Sequence, residues 1–600
     1  MSGMHPRPQL TRPEWQDLCG EWEFAHDDDN AGVRAAWWRG DRPFGARITV
    51  PFPPESAASG VHDPAPHPVV WYRRTFDAPA GDRVLLHFGA VDYRARVWVN
   101  GTEVCAHVGG HAPFHVDITH ALVPDGPQVV VVRAEDSVDD MTQPRGKQYW
   151  EPEPAAIWYH RTTGIWQPVW LEAVPSAYVT GLEWVPSLVS RSVRVRVRTV
   201  GAAGLSVRVR LSLGERVLAD DRYLVDGRDV ERTISLPHGD FRWSPDTPTL
   251  IDATVSLLRD GEVVDEVGSY FGLRDAEVRD GRFVLNGERL FLRMVLAQGY
   301  WPESHLAAPS ADALRREVEL IKELGFNGVR VHQKVEDPRF LYWCDRLGLV
   351  VWGEMANAYE YSTDGVARFT AEWLEVVRRD MSHPSVVTWV PVNESWGTPA
   401  LTSDPRQRHF LESLYHLTHA VDGTRPVISN DGWEHTTSDI WTVHDYSPSA
   451  DALASRYGTP EAVEGALRRD WPGPRRIMLG DPVRGDQPLM VTEFGGLSYT
   501  PGAGERWFGY RTVADADALL AAYERLVTAL VGSPQVAGYC YTQLTDTEQE
   551  VNGLLTEARE HKVDPAEIRR VNTLPAASVP TEELHQLIEA AHRRSRGEDG

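Results

Sequence analysis

The order of apolar and polar residues changes along the chain and divides it into three parts. The first 175 residues contain short alternating segments, such as VLLHF (84–88), ARVWV (95–99) and VVVVRA (129–134), separated by Gly, Pro and Asp turns. This pattern is typical of an antiparallel β-sandwich, which we predict over 1–175. A second alternating stretch, over 176–272, has the length of a seven-strand immunoglobulin-like β-sandwich.

After residue 272, apolar runs alternate with amphipathic stretches. The predicted helices have apolar residues three or four positions apart, and they cover 310–325, 368–382, 407–421, 515–531 and 581–594. Eight apolar runs lie at 290–296, 328–332, 349–355, 386–394, 426–431, 440–446, 488–494 and 536–544. The alternation predicts a TIM (β/α)₈ barrel over 273–600, with at most a single helical turn between the fifth and sixth runs.

The composition excludes some classes of partner. The 600 residues include 61 Lys and Arg against 86 Asp and Glu, a net charge of −25, without a dense basic run. We therefore expect neither nucleic acid nor membrane as a partner. The sequence shows no secretion signal or membrane span, and the four cysteines are scattered singly, so we expect free thiols and a cytoplasmic protein.

Acidic residues end several of the predicted barrel strands. Glu354, Glu394, Asp445 and Glu493 lie at the ends of apolar runs, and reacting groups of such barrels lie at the carboxyl ends of strands. A carboxylate beside a buried strand costs solvation energy unless it has a partner, so its position needs an explanation. Two carboxylates that face one pocket can cleave a glycoside, one as nucleophile and one as proton donor.

Two of these segments are recognisable. HPSVVTWVPVNESWG (383–397) resembles the acid/base signature of glycoside hydrolase family 2, and VTEFGG (491–496) resembles the nucleophile segment of that family. FGAVDYRARVWVNG (88–101) and TTGIWQPVWLE (162–172) resemble the family's amino-terminal sugar-binding domain. The resemblance implies a jelly-roll sandwich, an immunoglobulin-like domain and a catalytic barrel. It also implies a retaining, exo-acting β-glycosidase that removes terminal non-reducing sugars.

The resemblance also assigns roles to residues. Glu394 would be the acid/base and Glu493 the nucleophile, with carboxyl groups roughly 5 Å apart. Asn393 would bind the sugar 2-hydroxyl, Arg330 would keep the nucleophile ionised, and Tyr446 would hydrogen-bond it. The remaining predicted substrate-binding residues lie at strand ends: His332, His444, Asp445, Trp396, Glu354, Gln298, Tyr541 and Gln543. We expect no cofactor and no metal, and a homo-oligomer is compatible with the sequence.

The sugar is less well defined than the reaction. The first run ends VLAQGYW, without the Asn-Arg-His of many family members, and the eighth has YCYTQLTD where tryptophan is usual. An Asn-x-Lys clamp, which the β-glucuronidases carry after the eighth strand, is absent from 545–560. We therefore expect a β-galactoside-like neutral sugar. A β-glucuronide, β-mannoside, arabinoside or galactofuranoside stays open, as does a non-catalytic carbohydrate-binding protein.

Several aromatic residues are candidates for stacking on a sugar ring. The predicted loops at the carboxyl side of the barrel contain Trp301, Trp396, Trp433 and Trp507, each of which could equally cap the core. The irregular segment 141–164 would, by the resemblance, reach the barrel mouth with Trp150, Trp158 or Arg161. The alternative for this segment is an ordered pad between domains.

Overall fold

The computed structural model describes residues 3–41, 43–480, 485–499 and 509–596. Its first part, here called the front sandwich, consists of two antiparallel sheets. One has the strand order Gln16–Asp17, Val169–Val174, Arg83–Phe88 and Phe114–Asp117. The other has the order Ala46–Val50, Gly20–His26, Val69–Phe76, Gln128–Glu135, Arg94–Val99 and Thr102–Val108. Apolar residues of both sheets, among them Trp22 and Phe88, share one core.

The second part is a seven-strand sandwich, as predicted. Its three-stranded sheet has the order Tyr178–Ser187, Ser192–Val200 and Asp229–Ser235, and its four-stranded sheet the order Arg216–Leu224, Ser206–Leu213, Ile251–Arg259 and Glu262–Phe271. Alternation fixes the inner face, since Val193, Val195 and Val197 are buried in the core between the sheets while Arg194 is exposed.

The third part is a curled parallel sheet with helices outside it. Its strand order is Val386–Val390, Val350–Glu354, Gly328–Val331, Leu292–Ala297, Val536–Thr542, Leu489–Gly495 and Trp441–His444. The first and eighth barrel strands, 292–297 and 536–542, are neighbours, so the sheet curls back on itself. Three short strands, Ala276–Arg279, Arg282–Leu285 and Glu288–Arg289, pack against the inner core.

The fifth predicted run, 426–431, contributes isolated bridges instead of a regular strand. Val427 pairs with Trp389 of the strand Val386–Val390, and Asp431 pairs with Asn393 just beyond that strand. Pro426 has no N–H to donate to a ladder, which shortens the possible pairing. The described residues between 431 and 441 contain no helix, in agreement with the sequence pattern.

Helices surround the barrel. They span Ala311–Glu323, Pro338–Leu347, Thr363–Asp380, Pro405–Val421, Ala450–Tyr457, Pro460–Arg468, Ala516–Val531, Pro565–Asn572 and Thr581–Arg596. Side-chain caps set their starts: the Ser310 hydroxyl, for example, accepts the N–H of Ala313. The four helices that the periodicity did not predict have only 8 to 10 residues. Within the described residues, none of the helices has the length and apolar character needed to traverse a membrane. All four cysteines are free thiols.

Candidate active site

Arg330 is the central cation of the barrel mouth. Its Nε donates to Glu354 at 2.7 Å, its Nη1 to Glu493 at 3.0 Å, and its Nη2 to Asn393 Oδ1 at 2.5 Å. The same Nη1 lies 2.6 Å from Asp431, and no part of the side chain is exposed. Burial alone would lower the pKa of Arg330, but Asp431, Glu354 and Glu493 raise it well above its usual value. The guanidinium therefore stays charged.

Glu493, on the strand Leu489–Gly495, has a partner for each carboxylate oxygen. Oε1 accepts from Arg330, and Oε2 accepts from the Tyr446 hydroxyl at 2.7 Å. Burial raises the pKa of Glu493, yet the positive charges of His444 and Arg330 lower it below its usual value. An ionised carboxylate held in this way has the properties of a nucleophile.

Glu394 lies in a strained turn just beyond the strand Val386–Val390. Its φ is 52° and that of Ser395 is 59°, values that residues other than glycine rarely adopt. The turn is held by neighbours: the N–H of Glu394 donates to the Asp431 carbonyl at 3.0 Å, and that of Ser395 to Asn430 Oδ1 at 2.9 Å. Strain of this kind persists only where the surroundings enforce it, and it is common at functional sites.

His444 lies between the two glutamates. Its Nδ1 is 2.7 Å from Glu394 and 3.4 Å from Glu493, and its Nε2 is 3.0 Å from Asp431. Burial lowers the pKa of His444, but these carboxylates raise it to about 10, so the ring is a cation. Oxygens of Glu394 and Glu493 lie within 4.8 Å of each other. Gly432, at φ +96°, makes room for the imidazole, because a Cβ there would lie 2.5 Å from the ring.

Glu354 and His332 belong to the hydrogen-bonded surroundings of Arg330. Glu354 Oε1 accepts the N–H of Gln333 at 2.9 Å and lies 3.1 Å from His332 Nδ1. Burial raises the pKa of Glu354, but Arg330 and His332 lower it below its usual value. Both predicted residues thus contact the arginine that holds Glu493.

Gln298 and Gln543 form a short chain of amides at the first and eighth strands. Gln298 Nε2 donates to Gln543 Oε1 at 2.8 Å, and Gln543 Nε2 donates to Asn552 Oδ1 at 2.6 Å. Gln298 Oε1 is buried and has no partner among the described residues. The two predicted side chains therefore meet each other.

Two predicted substrate-binding residues point elsewhere. The Tyr541 ring packs in the outer core, 4.9 Å from Tyr523 of a surrounding helix, and not in the barrel mouth. Asp445 is buried, accepts the Tyr457 hydroxyl at 2.9 Å and pairs with Arg456, so it anchors the helix that follows the sixth strand. A role of Tyr541 and Asp445 in substrate binding stays a prediction.

The segment 141–164 of the front sandwich contacts the barrel. Trp158 Nε1 donates to the Tyr359 hydroxyl at 2.8 Å, and its ring lies 5.8 Å from that of Trp396. Gly146 has a φ of +61°, and a Cβ there would overlap the carbonyl oxygen of Gln333. The close approach needs glycine, and it brings the aromatic side chains of the segment to the half-buried Trp396.

The other aromatic candidates and Arg161 differ in position. Trp433 lies edge-on to His444 with ring centroids 5.6 Å apart. Trp301 is buried under the Arg559 guanidinium, and Arg161 pairs with Asp136 inside the front sandwich. Trp507 lies outside the described residues.

The sequence pattern did not identify Asp431 and Lys147 as residues near the site. Asp431 ends the run PVISND just as Glu354 ends its own run, so the same signal would have found it. Lys147 lies in the segment 141–164 and has no local motif that points to the barrel. Burial lowers its pKa, while Glu550 and the two glutamates of the site raise it, so its ammonium lies within their electrostatic reach.

Three groups of described side chains have a spacing that a metal ion could use. They are His26, Asp63 and His67; His160, His305 and Glu548; and Glu394, His444 and Glu493. In the third group the protonated His444 is itself the cation between the carboxylates, and a protonated imidazole nitrogen offers no lone pair to a metal. That group therefore suits proton chemistry better than metal binding.

A front sandwich, an immunoglobulin-like domain and a barrel with paired glutamates at strand ends together define a glycoside hydrolase. Sequence models of glycosyl hydrolases family 2 match residues 15–175 as the sugar binding domain, 177–274 as the family 2 domain and 276–495 as the TIM barrel domain. Because these matches cover most of the chain, the protein belongs to glycoside hydrolase family 2.

Relatives of the chain differ in the sugar for which they are named. A putative β-glucuronidase of Formosa agariphila is 28% identical over 362 residues, which cover 57% of this chain and 41% of that protein. A β-galactosidase of Thermoanaerobacter pseudethanolicus is 28% identical over 372 residues, 60% of this chain and 48% of that protein. The alignments thus span less than half of these two relatives.

A solved structure shows the same fold. The family 2 β-galacturonidase of Eisenbergiella tayi bound to galacturonate superposes with a TM-score of 0.72 and 19% identity, over 94% of this chain and 98% of that one. At this identity the likeness concerns the fold.

Proposed function

We propose that this protein is a retaining, exo-acting β-glycosidase that releases terminal non-reducing sugars by double displacement. The observation that carries the proposal is the pairing of Glu493, whose pKa is lowered, with Glu394 at a closest oxygen separation within 4.8 Å. Retaining enzymes have carboxyl groups about 5 Å apart, whereas inverting enzymes need about 6.5–9.5 Å to admit a water molecule.

In the first step, a carboxylate oxygen of Glu493 attacks the anomeric carbon while Glu394 donates its proton to the departing glycosidic oxygen. The bond between that carbon and oxygen breaks, and the sugar becomes an ester of Glu493. Arg330 and Tyr446 support this step because they keep Glu493 ionised and oriented beforehand.

In the second step, Glu394 accepts a proton from water, the water oxygen attacks the anomeric carbon, and Glu493 departs as a carboxylate. Two inversions give net retention. After the first step Glu394 is an anion, and the His444 cation at 2.7 Å stabilises that charge until water arrives.

Asn393 has an orientation suited to the sugar. Its Oδ1 accepts from Arg330, and its backbone N–H donates to Asn357 Oδ1 at 2.8 Å. The amide NH₂ is then the group left to donate, and the 2-hydroxyl that the family resemblance assigns to it would accept that hydrogen bond.

The neutral β-galactoside expected from the sequence is one candidate substrate. The names of the relatives add β-glucuronides and β-galacturonides. A purely binding protein is less favoured, because a binder has no need of two partnered glutamates at this separation.

A screen of nitrophenyl glycosides, α and β, pyranose and furanose, tests the proposal. Purified Glu493→Ala is the blank, and Glu461→Ala, which changes an exposed helical glutamate, is the control for preparation and stability. We expect one class of β-glycoside to be hydrolysed by the wild type and by the control and not by the blank. Proton NMR should show the β-anomer of the sugar first. An α-anomer first, or equal turnover by the blank, would refute the assignment.

A further inference from the structure

We propose that His160, His305 and Glu548 bind a divalent transition metal ion, with Zn²⁺ as the ion that fits best, and that this ion joins the front sandwich to the barrel. His160 belongs to the segment 141–164 of the front sandwich. His305 lies in the loop after the first barrel strand, and Glu548 in the loop after the eighth. The inference does not depend on the proposed reaction.

The three side chains converge on one point. One ligand atom of each lies within 4.8 Å of the ligand atoms of the other two. Nδ1 of His160 is 3.0 Å, and Nδ1 of His305 is 3.9 Å, from the same atom, Oε1 of Glu548. Zinc bonds of about 2.0–2.2 Å at a tetrahedral angle separate two ligand atoms by about 3.3 Å. The two separations lie on either side of that value, so small side-chain rotations bring all three atoms to one ion.

The contact between His160 and Glu548 is close without being a regular hydrogen bond. Nδ1 of His160 is shielded from solvent and has no hydrogen-bond partner among the residues that the structure describes, although Oε1 lies at 3.0 Å. Without a proton or a metal ion between them, an imidazole nitrogen and a carboxylate oxygen are two acceptors that repel each other. A metal ion bound to both atoms uses the two lone pairs at once and accounts for this contact.

Backbone contacts hold two of the three ligands in place. The N–H of His160 donates to both carboxylate oxygens of Glu548, at 3.1 and 3.2 Å. Gln549 Nε2 donates to the carbonyls of Ala156 and Trp158, each at 2.9 Å. Each carboxylate oxygen has two lone pairs, so Oε1 can bind an ion while it accepts this N–H. The two loops are therefore joined beside the proposed site before an ion binds.

The backbone is strained at two of the three ligands. His305 has a φ of 53° and Glu548 a φ of 49°, in the left-handed region that these residue types rarely adopt. The turn at His305 is closed by two hydrogen bonds with Trp301, at 2.8 and 2.9 Å between backbone N–H and carbonyl groups. Such conformations cost free energy and are common at ligand-binding sites, in agreement with the proposed role.

The ligand types indicate which ion binds. Mg²⁺ and Ca²⁺ prefer oxygen ligands, whereas imidazole suits Zn²⁺ and its transition-metal neighbours. Zn²⁺ takes nitrogen and oxygen ligands in tetrahedral geometry, with water in a fourth position that the protein leaves open. The His160 side chain is 34% exposed, so an ion and this water can reach the group from solvent. The sequence predicts no metal because the three ligands are far apart in the chain and form no motif.

Zinc binding to the full-length protein tests the inference. The protein is treated with a chelator, freed of it and titrated with ZnCl₂ in a calorimeter, and the bound metal is counted by elemental analysis. We expect one zinc per chain. The melting temperature should rise with the zinc concentration, because the ion binds the folded contact between the two domains and not the unfolded chain. MgCl₂ under the same conditions should change neither quantity.

Two substitutions each remove one ligand. In His305→Asn the imidazole is lost, and asparagine tolerates the left-handed backbone at this position. In Glu548→Gln the charge is lost and the shape is kept. Each variant should still unfold cooperatively, should bind zinc more than about 100-fold more weakly, and should have a melting temperature that no longer depends on zinc.

The matched control is His26→Asn. His26 belongs to another described group with a spacing that a metal ion could use, together with Asp63 and His67. The control should bind zinc as the wild type does. Absence of zinc binding in the wild type, or zinc binding that persists unchanged in His305→Asn, would overturn the inference. Loss of zinc in His26→Asn alone would assign the ion to that other group and would overturn the inference as well.

Discussion

Nδ1 of His444 lies 2.7 Å from Oε1 of Glu394. The same nitrogen is 3.4 Å from Glu493, so one imidazolium serves both glutamates. Its charge is favoured by Asp431 on the other ring nitrogen, at 3.0 Å. The proposed acid/base and nucleophile are therefore coupled through a shared cation, and removing it would change both.

The shared cation predicts a dependence of stability on pH. The pKa of His444 is raised to about 10, above the value near 6.5 of an unfolded chain. The native state then binds more protons between these values, so this stabilisation is complete below about pH 6.5 and is lost as the pH rises towards 10. His444→Gln should lack the effect, whose upper limit is roughly 5 kcal/mol.

Urea unfolding of wild type and His444→Gln at pH 7, 8.5 and 10 measures this difference. The gap in the free energy of unfolding should narrow as the pH rises. A gap that stays constant over this range would contradict the assignment of a charged ring.

The division of labour between the two glutamates predicts opposite rescue behaviour. Glu493→Ala should lose turnover, and azide should restore it with formation of the α-glycosyl azide, since azide replaces the nucleophile in a single inversion. Glu394→Ala should still act on substrates with a good leaving group, and azide should give the β-product. NMR of the glycosyl azide products measures their stereochemistry. A β-azide from Glu493→Ala and an α-azide from Glu394→Ala would show that the two roles are reversed.

Tyr446→Phe tests the support of the nucleophile. The variant loses a hydrogen bond of 2.7 Å to Glu493, which favours the ionised carboxylate, so the pKa of Glu493 should rise. The acidic limb of the kcat/KM profile should move to higher pH, and kcat/KM at neutral pH should fall about tenfold. A reduced rate with an unmoved acidic limb would indicate a packing effect instead.

A buried glutamate at the contact between the front sandwich and the barrel predicts that the free energy of unfolding falls as the pH rises. Glu372 accepts the N–H of His111 at 2.6 Å, and burial raises its pKa to about 8, above its ordinary value of 4.5. The native state holds the proton more tightly between these values, so stability falls as the pH rises from 4.5 to 8.

Glu372→Gln should remove the loss of stability that ionisation of Glu372 causes at higher pH. The variant should match the wild type near pH 5 and exceed it at pH 9, by at most roughly 5 kcal/mol. Thermal unfolding at both values measures the effect. Equal melting temperatures at pH 9 would show that Glu372 does not ionise at a cost in the native protein.

Local patterns in the sequence predicted the three-part fold and the positions of Glu394 and Glu493. The orientation of Tyr541 could not be predicted, because the face of a strand depends on its phase, and a shift of one residue exchanges inner and outer side chains. In the structure Cys540 lies in the inner core and Tyr541 in the outer one. Lys147 could not be predicted, since its position depends on how a loop of one domain meets another.

The contact of the segment 141–164 with the barrel has a consequence for how the surroundings of the site could be changed. The glutamates and Arg330 belong to the barrel, whereas Trp158, whose ring lies 5.8 Å from that of Trp396, belongs to the segment 141–164 of the front sandwich. Substitutions in this segment would change the aromatic side chains around Trp396 while the two glutamates and Arg330 remain unchanged.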